Sequence, residues 1–229
     1  MKFKGILLDL DNTLYNYDKS HQVAQKVLFS KISKLFDLSF TEINDFYNKS
    51  RSQIHSELNG TASSHNRLLY IQRLLELAGL NSLEKSLELY DLYWDSFIEN
   101  IEVYEGVYNF LESLSSHKIC LLTDLTADIQ FKKVVKLKLD KYIEFMVTSE
   151  EAGIEKPNSK MFSMALNKIG LDYSDVCMIG DNFDKDIMGA CNLGIKSFWI
   201  NDKSKNISYD NNMIIEFKTF KQLIGYVNG

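Results

Sequence analysis

Hydrophobic and polar positions along this chain follow different rhythms, and each rhythm predicts a different kind of element. Residues 2–10 (KFKGILLDL) form a short apolar run that ends in acid and is bounded by Asp11 and Asn12. That is the pattern of a buried strand opening into a loop. From about residue 19 to residue 100 the rhythm becomes helical. Apolar residues recur at Val23, Val27, Ile32 and Leu35, at Ile43, Phe46 and Tyr47, at Leu68, Ile71 and Leu75, and at Leu87, Tyr90 and Trp94. This spacing lays one apolar stripe along each helix. Breaks at residues 37–40, Asn59-Gly60 and Gly79 divide the block into four helices, and Asn81 with Glu84 resembles a capping box.

After Gly106 the pattern alternates. Helices are predicted over residues 107–115, 129–137, 158–169 and 187–193, and strands over 118–123 (KICLLT), 143–148, 176–180 (VCMIG) and 195–200. Strands and helices alternating at these lengths imply parallel βαβ units. The first strand joins that sheet and leaves the four helices as an insertion in an α/β fold. Residues 201–212, carrying Lys203 and Lys205, read as a polar surface loop.

Composition narrows the function. With 26 basic against 31 acidic side chains, the net charge of −5 disfavours a nucleic acid polymer as partner. No run approaches the roughly 18 apolar residues of a spanning helix, so no membrane segment is expected. Asp9 and Asp11 interrupt the apolar N-terminus before a signal-peptide core could form. Cys120, Cys177 and Cys191 include no CxxC pair, and the first two sit in apolar runs. Buried free thiols suit a reducing compartment, so a cytoplasmic location is expected.

Two acid clusters carry the candidate chemistry. Asp9 and Asp11 are two residues apart, so in extended chain both carboxylates can face one pocket at the strand's C-terminal edge. Open parallel sheets bind ligands there. Two like charges so close need a cation or a shared proton. By itself the pair reads more readily as loop and capping aspartates. The second cluster, Gly180-Asp181-Asn182-Phe183-Asp184-Lys185-Asp186, again follows an apolar strand and alone reads as a helix N-cap. Together the clusters describe a hard-cation site of the kind that suits Mg²⁺. Thr123 closes the KICLLT strand with a hydroxyl. Lys156 precedes Pro157, the one proline where average usage predicts roughly eleven. Both can serve as donors to an anion, though singly each is an ordinary strand-end cap or solvated lysine.

In this order, Asp9-Leu10-Asp11-Asn12-Thr13-Leu14-Tyr15, Leu122-Thr123-Asp124, Lys156-Pro157 and Gly180-Asp181 with Asp186 resemble the haloacid dehalogenase-like (HAD) hydrolase superfamily. The resemblance implies a Rossmann-like parallel sheet core, residues 1–16 and 101–229, with an inserted helical C1-type cap domain, residues 17–100. It implies hydrolysis of small phosphomonoesters through an aspartyl-phosphate. Asp9 would be the nucleophile and Asp11 the acid and base. Mg²⁺ would be held by Asp9, the Asp11 backbone carbonyl and Asp181, with Asp186 in the same cluster. Thr123 and Lys156 would hold the phosphoryl oxygens. Two positions depart from the usual pattern: Leu125 stands where a glycine or small residue is common, and Asp184 adds a third acid to the last motif.

Within the superfamily, dehalogenases lack the second acid, so Asp11 favours phosphate chemistry. Phosphomutase-type transferases share all four motifs and stay open as an alternative. A phosphonatase would need a cap lysine, and none among Lys26, Lys31, Lys34 and Lys49 stands out. A non-catalytic phospho-aspartate signalling module would be about half this length, with adjacent acids near its first strand. Substrate choice falls to the cap, which holds all three arginines, Arg51, Arg67 and Arg73, beside His55 and His65. Tyr17, Arg51 and Arg67 are the candidate specificity residues, because a guanidinium fork suits a carboxylate or second phosphate. Tyr15 and Tyr17 could stack on a base or sugar or pack the hinge. The expected partner is a small phosphorylated metabolite, nucleotide-like or sugar phosphate.

Overall fold

The computed structural model describes residues 3–201, 206–209 and 212–227; Lys2, Lys203 and Lys205 lie outside the described residues. The first strand, β1 (Gly5–Leu8), is buried at all four positions, as expected of a strand covered on both faces. It lies in the middle of a six-stranded sheet with β2 (Lys118–Thr123), β3 (Phe145–Thr148), β4 (Val176–Gly180), β5 (Lys196–Ile200) and β6 (Ile214–Phe217). The order is β3-β2-β1-β4-β5-β6, and every pairing is parallel. Alternate residues divide between the faces. Ile6, Leu8, Ile119, Leu121, Cys177 and Ile179 face one core, whereas Leu7, Cys120, Leu122, Val147 and Met178 face the other.

Between β1 and β2 the chain forms four long helices, α1 (Tyr17–Phe36), α2 (Phe40–Glu57), α3 (Arg67–Leu77) and α4 (Ser82–Glu99). Their starts are built locally. Asn16, Ser39, Asn66 and Asn81 each accept a backbone N–H in the first helical turn. The reciprocal capping box lies at Ser39 and Glu42. Asn81 caps α4 by accepting the Leu83 N–H at 3.1 Å. The bundle packs α1 on α4 and α2 and α4 on α3. Tyr15 and Trp94 pack edge-on against Phe97, Tyr17 tilts against it and Tyr93 stacks on it where the bundle meets the sheet.

The remaining helices are α5 (Val107–Ser113), α6 (Ala127–Lys136), α7 (Ser149–Ala152), α8 (Ser159–Ile169), α9 (Gly189–Cys191) and α10 (Phe220–Val227). Two differences from the sequence reading have physical causes. The helix expected over 187–193 begins earlier, as a π-helical turn over Phe183–Met188, because the Asn182 carbonyl accepts the N–H of both Asp186 and Ile187. The edge strand β6 and helix α10 have no counterpart in that reading. β6 is short, and a polar stretch separates it from β5, so it lacks the helix-strand rhythm that marked its neighbours. No helix among the described residues is long and apolar enough to cross a membrane.

Phe97 is fully buried at the joint between bundle and sheet. Phe97→Ala is expected to cost about 3–5 kcal/mol. Urea unfolding should show this as a lower midpoint with an unchanged slope; a loss below about 1 kcal/mol would mean the joint repacks.

Candidate active site

The sheet order reverses between β1 and β4, where neighbouring connections leave in opposite directions and open a crevice at the strands' C-terminal ends. Asp9 follows β1 directly, its backbone N–H donating to the Ile179 carbonyl of β4 at 3.0 Å. The chain then turns tightly. The N–H groups of Thr13 and Leu14 both donate to the Leu10 carbonyl, and Asn12 takes a left-handed φ of 62°. This turn returns the Thr13 hydroxyl to Asp9, to which it donates at 2.7 Å.

β4 delivers the second acid set. Carboxylate oxygens of Asp9, Asp181 and Asp186 lie within 4.8 Å of one another. Asp186 is buried and belongs to this cluster, whereas Asp184 is exposed. The π turn brings Asp186 back over Gly180, so close that a Cβ there would sit 2.4 Å from its Oδ2. Only glycine fits that position. The Lys156 ammonium bridges the cluster, donating to Asp9 Oδ1 at 2.7 Å, Asp186 Oδ1 at 2.6 Å and the Leu122 carbonyl at 2.9 Å.

Burial and mutual charge shape the electrostatics of this cluster. Burial pushes the Asp9 carboxyl well above the ordinary range; Lys156 pulls it back, and the charges of Asp186 and Asp181 push it up again. Asp186 is also raised by burial against the pull of Lys156. Burial works against the Lys156 ammonium, but the facing Asp186 and Asp9 outweigh it and hold it well above the usual lysine range. The Lys156 ammonium thus bonds two of the three acids, Asp9 and Asp186. Three convergent carboxylates, an all-oxygen donor set, fit a hard divalent cation such as Mg²⁺.

Thr123 ends β2 beside the cluster, with its hydroxyl accepting from Gln130 Nε2 at 2.5 Å. Two residues on, Leu125 has a φ of 98°, which favours glycine, and its N–H donates to Ser149 Oγ at 2.9 Å. Leu125 thus places a buried side chain on a backbone conformation that favours glycine. Asp124 accepts from the Lys156 N–H at 3.1 Å and from Lys185 Nζ at 2.8 Å. Lys185 also meets Glu155 at 3.0 Å, and Glu155 meets His65 of the helical bundle at 2.9 Å.

Asp11 has different company. Both of its oxygens accept from Lys133 Nζ at 2.8 Å, Oδ2 accepts from Gln130 at 3.3 Å, and Oδ1 also accepts from the Tyr15 hydroxyl. Neither Gln130 nor Lys133 was singled out from the sequence. The available signal was their position in the stripe set by Ile129 and Val134, the buried face of α6, while Phe131 and Val135 are exposed. Burial lowers the Lys133 ammonium and Asp11 opposes that effect.

A cleft of about 460 Å³ joins these residues to the bundle, where Tyr17, His21, Tyr47, Arg51, His65 and Arg67 line it. Arg67 is buried, donating to the His65 carbonyl at 2.6 Å, to the Tyr17 hydroxyl and to Tyr93. Arg51 lies exposed at the cleft, and Arg73 lies outside it, paired with Glu57. His21 is held at about 4 by burial and by the positive charges of Arg67 and Arg51. His55 is likewise held at about 4, by burial and by His65 and the same arginines, and its ring meets the Tyr70 hydroxyl at 2.6 Å. Arg51 and Arg67 thus bring positive charge to the bundle side of the cleft, where Asp18 also lines it. Tyr15 is completely buried, and Lys26, Lys31 and Lys34 line a separate groove with Leu92.

Comparison with known proteins agrees with this geometry. A family model described as haloacid dehalogenase-like hydrolase matches residues 6–200. The chain is 35% identical over 197 residues to ribulose-1,5-bisphosphate 5-phosphatase of Halopiger xanaduensis, covering 84% of this chain and 82% of that protein. It is 27% identical over 210 residues to the pyrimidine 5'-nucleotidase YjjG of Escherichia coli, covering 88% and 87%. Among solved structures, the HAD-hydrolase YfnB from Bacillus subtilis, bound to magnesium, superposes with a TM-score of 0.75 at 18% identity and complete coverage of both chains. A 2-haloacid dehalogenase from Pseudomonas syringae superposes with a TM-score of 0.77 at 24% identity, covering 99% and 98%.

Glu155 gives a pH test of the link between sheet and bundle. Burial raises its carboxyl, but the hydrogen bond and charge of His65 and the ammonium of Lys185 outweigh burial and hold it at about 2, below the 4.5 of an ordinary glutamate. A carboxyl depressed in the folded state stabilises the fold above its unfolded value and loses that contribution as pH falls through the folded one. Glu155→Gln is therefore expected to lower the thermal midpoint by a few degrees near neutral pH. The gap should narrow between about pH 5 and about pH 3. A difference that stays constant across that window would show that the carboxylate charge contributes nothing.

Proposed function

This chain belongs to the haloacid dehalogenase-like hydrolase family, and we propose that it is a Mg²⁺-dependent phosphatase of small phosphomonoesters that works through a phosphorylated Asp9. The observation that carries this reading is the Asp9 carboxylate itself, buried at the sheet's switch point with Lys156 at 2.7 Å and two further acids around it. Residues 17–100 would act as the cap over a catalytic core of residues 1–16 and 101–229.

The chain's own groups divide the work. A carboxylate and a phosphate dianion repel each other, and Lys156, positioned between Asp9 and Asp186, offsets part of that repulsion. Asp9, Asp181 and Asp186, with the Asp11 backbone carbonyl, would hold Mg²⁺, which would supply further positive charge against the incoming phosphate. Thr13 fixes one oxygen of Asp9 by hydrogen bonding, which orients the carboxylate for in-line attack. Thr123 and Lys156 donate to phosphoryl oxygens, where charge spreads in the transition state. Asp11 gives its proton to the departing alkoxide, then takes one from the water that releases phosphate from Asp9.

The cap side favours a sugar phosphate carrying a second anionic group over a nucleotide. Tyr15 is buried and packs edge-on to Phe97, and Tyr17 is bonded to Arg67, so both act as hinge packing. Arg51 and Arg67 supply a positive field instead. The similarity to a sugar-bisphosphate phosphatase points the same way. Buried thiols at Cys120 and Cys177, both pushed up to about 12 by burial, support a cytoplasmic setting.

Purified protein with Mg²⁺ is expected to release inorganic phosphate from members of a panel of sugar phosphates, sugar bisphosphates and nucleoside monophosphates. Asp9→Asn should abolish release without lowering the melting temperature. No release from any panel member would overturn the assignment, and product carrying relocated phosphate would favour a phosphomutase. Arg51→Ala is expected to raise KM about tenfold for a bisphosphate while leaving that for p-nitrophenyl phosphate little changed. An equal change on both would remove Arg51 from substrate selection.

A further inference from the structure

Among the described residues Lys133 is the one charged side chain with no exposure at all, and the mechanism above does not use it. Among those residues its ammonium has one ionic partner, the Asp11 carboxylate, whose two oxygens it contacts at 2.8 Å each. Four rings surround it: Tyr17 at 5.3 Å, Phe97 at 5.4 Å, and Tyr15 and Trp94 at 5.8 Å. Tyr17 belongs to α1 and Trp94 and Phe97 to α4, whereas Lys133 belongs to α6 of the sheet side. The cage is therefore assembled from both halves of the molecule. A desolvated ammonium between ring faces is attracted to each of them and resists displacement.

We propose that Lys133 is a positioning residue for Asp11, fixing the carboxylate that serves the leaving-group oxygen at the junction of core and cap. The inference rests on the phosphatase reading. Asp11 lies where β1 has already ended, in a turn whose backbone alone leaves its side chain free to rotate. Two contacts from one buried ammonium, with Gln130 and the Tyr15 hydroxyl on the same group, remove that freedom. Because three of the caging rings ride on cap helices, the acid is held where Lys133 directs it only while the bundle is docked. In the step so arranged, a bond forms between an Asp9 oxygen and phosphorus and the ester P–O bond breaks. The carboxylic proton of Asp11 passes to the alkoxide. Lys133 keeps all its protons and exchanges none.

A structural lysine and a positioning lysine differ in what their loss does to different leaving groups. An alkoxide needs a proton to depart, whereas p-nitrophenolate leaves without one, so only the alkyl ester feels a misplaced acid. The test compares kcat/KM on glyceraldehyde 3-phosphate and on p-nitrophenyl phosphate for wild type, Lys133→Met, Asp11→Asn and the double variant. This parameter covers the steps through departure of the alcohol. The alkyl-to-aryl ratio is expected to fall on the order of 100-fold in Lys133→Met. In the Asp11→Asn background the same change should add less than about threefold, because the group it positions is already gone. Should Lys133→Met fail to fold by circular dichroism, Lys133→Gln, which keeps a donor, is judged by the same ratio. An equal loss on both esters, or a loss that persists in the Asp11→Asn background, overturns the proposal. Wild type inactive on both esters would instead count against the phosphatase reading.

Discussion

The site depends on one buried ammonium. Lys156 meets Asp9, Asp186 and the Leu122 carbonyl at once, so it ties together the ends of β1, β2 and β4. Removing one partner from such a group would leave an uncompensated buried charge worth about 3–5 kcal/mol. Much of the surrounding structure serves to keep it in place. Gly180 has no side chain because Asp186 must fold back over it, and the π turn supplies the extra residue that brings Asp186 there. Asp124 holds the Lys156 backbone from the opposite side. From Asp124 the charges alternate outward through Lys185 and Glu155 to His65, which belongs to the helical insertion. The charge arrangement of the sheet edge thus extends across the cleft.

How far the sequence revealed this depends on whether each feature is local. The strands ending in acid are local: an apolar run stops, a carboxylate follows, and burial on both faces makes the run continuous. β1, β2 and β4 could therefore be read with their candidate residues. The capping box was read at Asn81 but lies at Ser39, because several Asx and Ser residues precede apolar-periodic segments and local pattern does not rank them. Between Asp184 and Asp186, spacing favoured the second, and its burial in the cluster follows from the π turn, which no periodicity signals. Lys133 carries only a weak signal, its place in the stripe of Ile129 and Val134, for a different reason. Helix α6 exposes Phe131 and Val135 and buries Gln130 and Lys133, the reverse of the usual amphipathic rule. Its partner Asp11 lies 122 residues away in the chain.

The two acids of the first motif show what extended-chain geometry misses. Residues two apart share a face only while the chain stays extended, and here it turns immediately after Asp9. Both carboxylates still line the cleft, but with separate partners. Asp9 joins a crowded group of acids around Lys156, and Asp11 has an ammonium, an amide and a hydroxyl to itself. Identical side chains two residues apart thus keep different neighbours, because the turn between them sends each to a different side of the cleft.

The same reasoning bears on why the helical insertion sits where it does. Placed between β1 and β2, it leaves the core one residue beyond the Asn16 cap and returns before Val103, whose neighbour Tyr104 donates its N–H to the Leu14 carbonyl. Both connections therefore run directly over the turn that carries Asp9 and Asp11. A rotation of the bundle would act on this turn, on the links of Glu155 to His65, Ser64 and the Gly60 carbonyl, and on the rings around Lys133. Lys156 and Lys185 stand among the acids on the sheet side of the cleft, and Arg51 and Arg67 stand beside Asp18 on the bundle side. A ligand with a phosphoryl group at one end and a second anion at the other would meet Lys156, with a cation offsetting the acids, at the first end and the arginines at the second only when the two halves are docked. Substrate selection and alignment of the acid would then share one physical event, the closing of the cleft.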